Sequence, residues 1–174
     1  LEFSIDDYFL LGSFGATDYS IKAGKVYGNL PTLLLESPPG NETYFMNHGN
    51  FNLMNEYEFV MDTYAELFLT HSFHGFFLNK IPLIQKLKLR EVATFKMVYG
   101  KLSADNTAAN NYLKNVEPFY IGNTAPSPKP YMEAGIGVEN IFKLIRVDAI
   151  WRLSYRNNPL APNFGVRVGV SLDI

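Results

Sequence analysis

The sequence predicts an all-β protein: an antiparallel transmembrane (outer-membrane) β-barrel, of which this chain supplies a C-terminal set of about seven strands. Two observations predict it. Apolar and polar residues alternate with a period of two along most of the 174 residues, and helical periodicity is scarce. Long and short connections alternate between these stretches, which is typical of outer-membrane barrels.

The clearest alternating stretch runs from 57 to 73. Its odd positions begin with Tyr57, Phe59 and Met61, whereas its even positions carry Glu58, Asp62 and Glu66. Residues an even number apart share one face of a strand. The stretch is therefore predicted to be one long strand with an apolar face and an acidic face.

Six further strands are predicted at 3–11, 19–28, 87–102, 132–139, 147–155 and 164–174. The last of these is interpreted as the closing strand of the barrel, with its apolar residues facing lipid. Those residues are Phe164, Val166, Val168, Val170, Leu172 and Ile174.

The whole chain, 1–174, is expected to be the C-terminal part of one barrel domain. Two long segments rich in loop-forming residues, about 29–50 and 103–130, are predicted to be extracellular loops. Seven strands is an odd number, and bacterial single-chain barrels normally have an even number. Further strands are therefore expected upstream of Leu1.

Alternation alone does not decide which medium the apolar face meets. In a soluble lipocalin-like barrel that binds an apolar ligand, the apolar face points inward. Strands of nine to eleven residues are long enough to cross a bilayer, and aromatic residues such as Tyr57, Phe59, Phe73 and Tyr99 lie near strand ends, as in interfacial girdles. These features favour the membrane, and the lipocalin-like barrel remains the alternative.

Charges on the predicted polar faces change sign from strand to strand. Opposite charges on neighbouring strands stabilise a sheet by roughly 0.2–1 kcal/mol per pair, so these residues are interpreted as structural charge pairs lining a lumen. An alternative is a transverse field that acts on a permeant or a plug. The residues are Glu58, Asp62, Glu66, Lys88, Arg90, Lys96, Glu133, Glu139, Arg152, Arg156 and Arg167.

Four glycines, Gly135, Gly137, Gly165 and Gly169, alternate within predicted strands on the polar face. Glycine inside a strand marks a bend, a bulge or the close approach of another segment. The pattern indicates that a plug or loop could approach this face closely.

The sequence suggests no catalytic, cofactor-binding or metal-binding residues, and we expect a non-enzymatic protein. His71 and His74 would face opposite sides of a strand, which does not suit a nucleophile–base pair or a compact ligand set. The absence of cysteine excludes a disulfide scaffold, and a net charge of −2 gives no general attraction to nucleic acid.

Several separated blocks carry a resemblance: 52–59, Asp62 and Tyr64, 79–83, 87–91, 99–100, 133–148, 151–152, 158–159 and 164–165. They resemble an uncharacterised family of bacterial outer-membrane β-barrels whose members usually carry an N-terminal carboxypeptidase-regulatory-like domain. The stretch from Ala134 to Gly137 and the closing strand carry a weaker likeness to the Omp85-type assembly barrels.

The resemblance implies an outer-membrane protein with a role in envelope biogenesis, protein assembly or export, or transport, acting within a complex. The expected partners are outer-membrane lipid and other outer-membrane or periplasmic proteins. The expected location is the bacterial outer membrane.

Overall fold

The computed structural model describes residues 1–110 and 129–170, which form one antiparallel sheet. Its seven strands lie side by side in chain order, and each pairs with the next. The strands are β1 Glu2–Leu10, β2 Ala16–Lys25, β3 Thr63–Ser72, β4 Arg90–Lys101, β5 Tyr131–Ile141, β6 Ile145–Arg152 and β7 Phe164–Val170.

The predicted all-β antiparallel architecture is confirmed, and so is the number of strands. Within the described residues β1 pairs only with β2, and β7 pairs with β6 and, through one isolated bridge at Val168, with Phe45. The sheet is therefore open, and closure into a barrel stays a prediction. Leu172, Ile174 and most of the predicted loop 103–130 lie outside the described residues.

Helical structure is confined to short connections. The helix α1, Ala104–Ala109, follows β4, and the hydroxyl of Ser103 accepts a hydrogen bond from the Asn106 amide at its start. No helix among the described residues has the length and apolar character that crossing a membrane requires. In the described part of the chain, 3₁₀ turns occupy Gly12–Phe14, Thr32–Leu34, Leu78–Lys80 and Ile84–Leu87.

The two faces of the sheet differ in what covers them. The apolar face carries side chains such as Phe3, Ile136 and Trp151, which are 62%, 61% and 41% exposed. On the opposite, polar face, buried side chains include Lys96 and Asp148, which are 4% and 0% exposed. The sheet therefore buries its charges and exposes its hydrophobic residues, the reverse of the usual soluble pattern.

The segment between β2 and β3, residues 26–62, is what covers the polar face. We call it the covering segment. It packs over β3 to β7 and leaves the polar side of β1 largely exposed. A small apolar core forms where it meets one end of the sheet, made of Phe51, Met54, Phe59, Met61, Tyr64, Val98 and Tyr131.

The prediction of a strand from 57 to 73 is wrong for residues 57–62, because β3 begins at Thr63. The backbone of Tyr57 has a φ of 56°, which breaks the extended conformation. Phe59 and Met61 then turn into the small core, where they are 3% and 0% exposed. Phe59 therefore does not belong to an aromatic girdle on the apolar face.

Candidate functional site

The side chain of Lys96 on β4 binds backbone carbonyl groups of the covering segment. The ammonium donates to the carbonyl oxygens of His48, at 2.8 Å, and of Asn47, at 3.2 Å, and also to that of Asn50. It also lies 4.9 Å from the centre of the Phe68 ring. A buried ammonium with several carbonyl acceptors avoids the large cost of an unpaired buried charge. Lys96 thus holds the turn at 47–50 against the sheet.

Glu133 of β5 makes the complementary contact. Its Oε1 accepts hydrogen bonds from the Leu53 amide at 2.7 Å and the Tyr131 hydroxyl at 2.6 Å, and its Oε2 accepts one from the Asn52 amide at 2.9 Å. Lys96, Glu133 and Arg152 lie side by side across three strands. This row of charges of alternating sign on neighbouring strands agrees with the charge pattern of the sequence. Lys96 and Glu133, however, form hydrogen bonds with the covering segment.

The guanidinium of Arg152 pairs with the carboxylate of Glu58, and both side chains are at least 97% buried. One oxygen of Glu58 also accepts a hydrogen bond from the Asn158 amide group at 2.8 Å, and Arg152 donates to the Leu53 carbonyl at 3.1 Å. Glu58 belongs to the covering segment, not to a strand as predicted. The pair therefore joins this segment to β6 and to the connection before β7.

The edge strand β7 is joined to the covering segment at two points. Arg167 donates to the Asn52 carbonyl at 2.7 Å. Val168 exchanges backbone hydrogen bonds with Tyr44 and Met46, which pair along the outer edge of β7. These bonds protect part of an edge that would otherwise expose unpaired backbone groups.

Arg146 and Asp148 of β6 form a buried pair that sequence reasoning did not select. Arg146 donates two hydrogen bonds to Asp148, at 2.7 and 2.8 Å, and lies 3.9 Å from Glu139. The strand predicted here begins at 147, whereas β6 begins at Ile145 and includes Arg146. Counting alternation back from Asp148 would have put Arg146 on the polar face.

Asp62 is the last residue of the covering segment, directly before β3, and Glu66 lies within β3. Asp62 accepts from the Ser103 amide at 2.7 Å and from the Asn106 side chain at 3.0 Å. Burial alone would raise the pKa of Asp62, but these hydrogen bonds outweigh it and hold that pKa below its usual value. Glu66 is 6% exposed and lies opposite Lys22 in the register.

Three other predicted lumen charges lie at the margins of the sheet. Lys88 is exposed and precedes β4 in a left-handed conformation, and Arg156 is exposed in the connection after β6. The prediction that both sit on the polar face of a strand is wrong, because the chain turns at these positions. Arg90 opens β4 opposite Glu139 in the register.

Two of the four glycines allow the covering segment to come close. A Cβ atom at Gly165 would lie 2.9 Å from the Leu53 side chain, and one at Gly169 would lie 2.9 Å from the Met46 Cβ. Close approach of another segment, which the sequence indicated, is confirmed here. At Gly135 and Gly137 the nearest atoms belong instead to Thr94 and Asp148 of adjacent strands.

A cleft of about 610 Å³ opens where the covering segment ends and the polar face of β1 to β3 begins. Its walls include Asp6, Asp18, Lys22, His48 and Glu66. Burial, with Arg146 and Lys96 nearby, lowers the pKa of His48, so the imidazole is mostly neutral at pH 7.

Both ring nitrogens of His71, near the end of β3, lie within hydrogen-bonding distance of neighbouring groups. His71 Nδ1 lies 2.7 Å from Thr17 Oγ1, and Nε2 lies 3.0 Å from the Phe14 carbonyl oxygen. His74 lies in the turn after β3, with a φ of 52°. Across residues 1–110 and 129–170, no three histidine, aspartate or glutamate side chains are grouped as metal ligands.

Comparison with known proteins gives one match. The model of the C-terminal domain of a family of unknown function, DUF5686, matches residues 1–106, which include β1 to β4 and the covering segment. No curated protein matches the chain, and no solved structure matches it. Since the match spans more than half of the 174 residues, the chain belongs to the DUF5686 C-terminal domain family.

Proposed function

We propose that this chain is part of a non-enzymatic outer-membrane β-barrel whose apolar face meets lipid and whose polar side is filled by its own covering segment. The observation that carries the proposal is the inverted burial of the sheet. Large hydrophobic side chains are exposed on six of the seven strands, for example Ile5 on β1, Ile21 on β2, Tyr99 on β4 and Val166 on β7.

An apolar surface of this kind is costly in water. Soluble monomers expose scattered hydrophobic residues, but contiguous apolar patches above a few hundred Å² mark a protein or membrane contact. Lipid contact removes that cost. The buried charges fit the same arrangement, since the polar face of a barrel points to the lumen and plugs are held there by polar contacts.

The covering segment favours a plugged barrel over an open pore. Lys96, Glu133 and Arg152 each bind it, and it lies against the strands that would line a channel. We therefore expect low conductance in planar bilayers. A high, steady conductance from the intact protein would argue for a pore instead.

A more specific role rests on resemblance. The families that the sequence resembles suggest envelope biogenesis, protein assembly or export, or transport, and action within a complex of outer-membrane or periplasmic proteins. An Omp85-like role and an N-terminal carboxypeptidase-regulatory-like domain belong to the same proposal.

A pair of substitutions tests the membrane location. Ile136 lies at the middle of β5 on the apolar face, and Phe142 lies in the turn after it, 86% exposed. Arginine on a lipid-facing strand costs about 2–4 kcal/mol at the bilayer midplane and about 0–1 kcal/mol near the interface. We expect Ile136→Arg to reduce membrane assembly and Phe142→Arg to have little effect.

Membrane fractionation, with gels run before and after boiling, reads the outcome. The proposal predicts an outer-membrane band whose mobility shifts on heating, weakened in Ile136→Arg but not in Phe142→Arg. A soluble protein without a heat shift, in which both variants behave like the wild type, would contradict it. The apolar face would then need a different cover, as in the lipocalin-like alternative.

A further inference from the structure

The cleft beside the covering segment has an excess of negative charge. Asp6 and Asp18 lie on the polar face of β1 and β2, and Glu66 lies on β3. Among the described residues that line the cleft, Lys22 is the only lysine or arginine. Its ammonium is already 2.8 Å from Glu36 and 3.3 Å from Glu2. Lys22 is therefore largely committed to two other carboxylates.

In this cleft, Glu66 carries a buried oxygen atom without a hydrogen-bond partner, and the residue faces Lys22 in the register. Glu66 is 94% buried, and its Oε1 makes no hydrogen bond within the described part of the chain. Most buried polar atoms in proteins have a hydrogen-bond partner, and an unpaired one calls for an explanation. The terminal torsion of a glutamate is broad and roughly two-fold, so either oxygen can turn toward the cleft.

The walls of the cleft suggest what that partner is. Phe68 and Tyr8 line the cleft, and Tyr8 is 61% exposed. The Phe68 ring lies 4.9 Å from the Lys96 ammonium and offers an apolar contact, whereas the face of Tyr8 can attract a cation. No three histidine or carboxylate side chains are close enough to form a metal site in the ranges 1–110 and 129–170. One buried carboxylate, Glu66, beside aromatic walls suits an organic cation better than a metal ion.

We propose that this cleft binds an organic cation, a primary amine or guanidinium group carried on an apolar body, and that Glu66 pairs with its charge. Asp6 and Asp18 add a negative potential at the entrance. The volume of about 610 Å³ lies within the range of small-molecule sites. The proposal does not depend on membrane location, because binding is measured on the purified protein in either case.

Calorimetric titration with phenethylamine, and with phenethyl alcohol as its neutral counterpart, tests the proposal. We expect the amine to bind and the alcohol to bind at least about ten-fold more weakly, as for loss of a charged hydrogen bond. Glu66→Gln keeps the shape of the side chain and should weaken amine binding by a similar factor. Glu139→Gln is the matched control, since Glu139 lies on the same face but outside the cleft.

A second variant, Asp18→Asn, tests the proposal independently if Glu66→Gln does not fold. Asp18 is exposed, so Asp18→Asn leaves the buried contacts intact and should weaken amine binding about two- to five-fold. A blocked Ala-Lys-Ala peptide, compared with Ala-Gln-Ala, distinguishes a peptide side chain from a free amine as the source of the cation. Equal affinity for amine and alcohol, or equal amine affinity in the wild type, Glu66→Gln and Asp18→Asn, would overturn the proposal.

Discussion

Replacing Glu133 by glutamine should release the covering segment from the sheet. In the wild type the carboxylate, 1% exposed, accepts hydrogen bonds from the amides of Asn52 and Leu53 and from the Tyr131 hydroxyl. Glutamine can keep the two bonds to Oε1 if its carbonyl oxygen takes that position. Its amide group then faces the Asn52 amide, so one donor is left unpaired.

The cost follows from these contacts. An unsatisfied buried donor costs about 1–3 kcal/mol, and the attraction of the carboxylate to buried Lys96 and Arg152 is lost as well. Removing one partner from a buried charge cluster typically destabilises the fold by about 3–5 kcal/mol. Part of this is offset, because a neutral amide loses less hydration free energy on burial than a carboxylate does. We expect a net loss of about 2–4 kcal/mol.

Hydrogen exchange of the covering segment is the direct assay. A loss of 2 kcal/mol corresponds to roughly 30-fold faster exchange at the amides of Asn52 and Leu53. Glu139→Gln is the control, because Glu139 accepts from Ser72 and contacts Arg146 but not the covering segment. If both variants exchange at the wild-type rate in this segment, Glu133 does not hold it and the reasoning fails.

Two further changes test the same packing. Gly169→Ala places a Cβ 2.9 Å from the Met46 Cβ, so the resulting overpacking should destabilise the fold by about 1–3 kcal/mol. Proteolytic cleavage near Met46 should become faster. An unchanged cleavage rate would mean that β7 and the covering segment are not in contact. Asp62→Asn should destabilise the junction with α1, measured by acid titration of amide exchange at Ser103. Because the folded pKa of Asp62 is lowered, its contribution is full above the usual aspartate pKa of about 3.9 and is lost as the pH falls through the folded value. A wild-type advantage that persists at the lowest pH would contradict this assignment.

Alternation was sufficient to predict the sheet, because most strands separate apolar from polar residues. The exceptions include Tyr8 and Leu10 of β1 and Phe68 of β3, which lie on the polar face. The predicted strand at 164–174 and the observed β7, Phe164–Val170, share their first residue. The boundary near 57 failed because alternation is a local signal. Residues 57–62 alternate as a strand does, but Phe59 and Met61 pack with Tyr131 in the core on the polar side of the sheet.

The partners of the buried charges could not be predicted in the same way. Lys96 and Glu133 were identified as polar-face residues, but their hydrogen bonds go to the backbone of residues 47–53. Nearly every residue has a backbone amide and carbonyl group, so the sequence does not show which of them a buried side chain will bind. Gly165 and Gly169 are visible in the sequence as sites of close approach, because only a residue without a side chain allows it.

The apolar face of the sheet can be tested with a probe that the chain already contains. Trp151 is the single tryptophan and lies on this face with 41% of its surface exposed, and its ring centre lies 5.3 Å from that of Phe164. With the protein reconstituted in vesicles, brominated acyl chains should quench its fluorescence strongly, and acrylamide in the water should quench it weakly. Strong quenching by acrylamide with none by the brominated lipid would show that the face meets water, and would contradict the proposed membrane barrel.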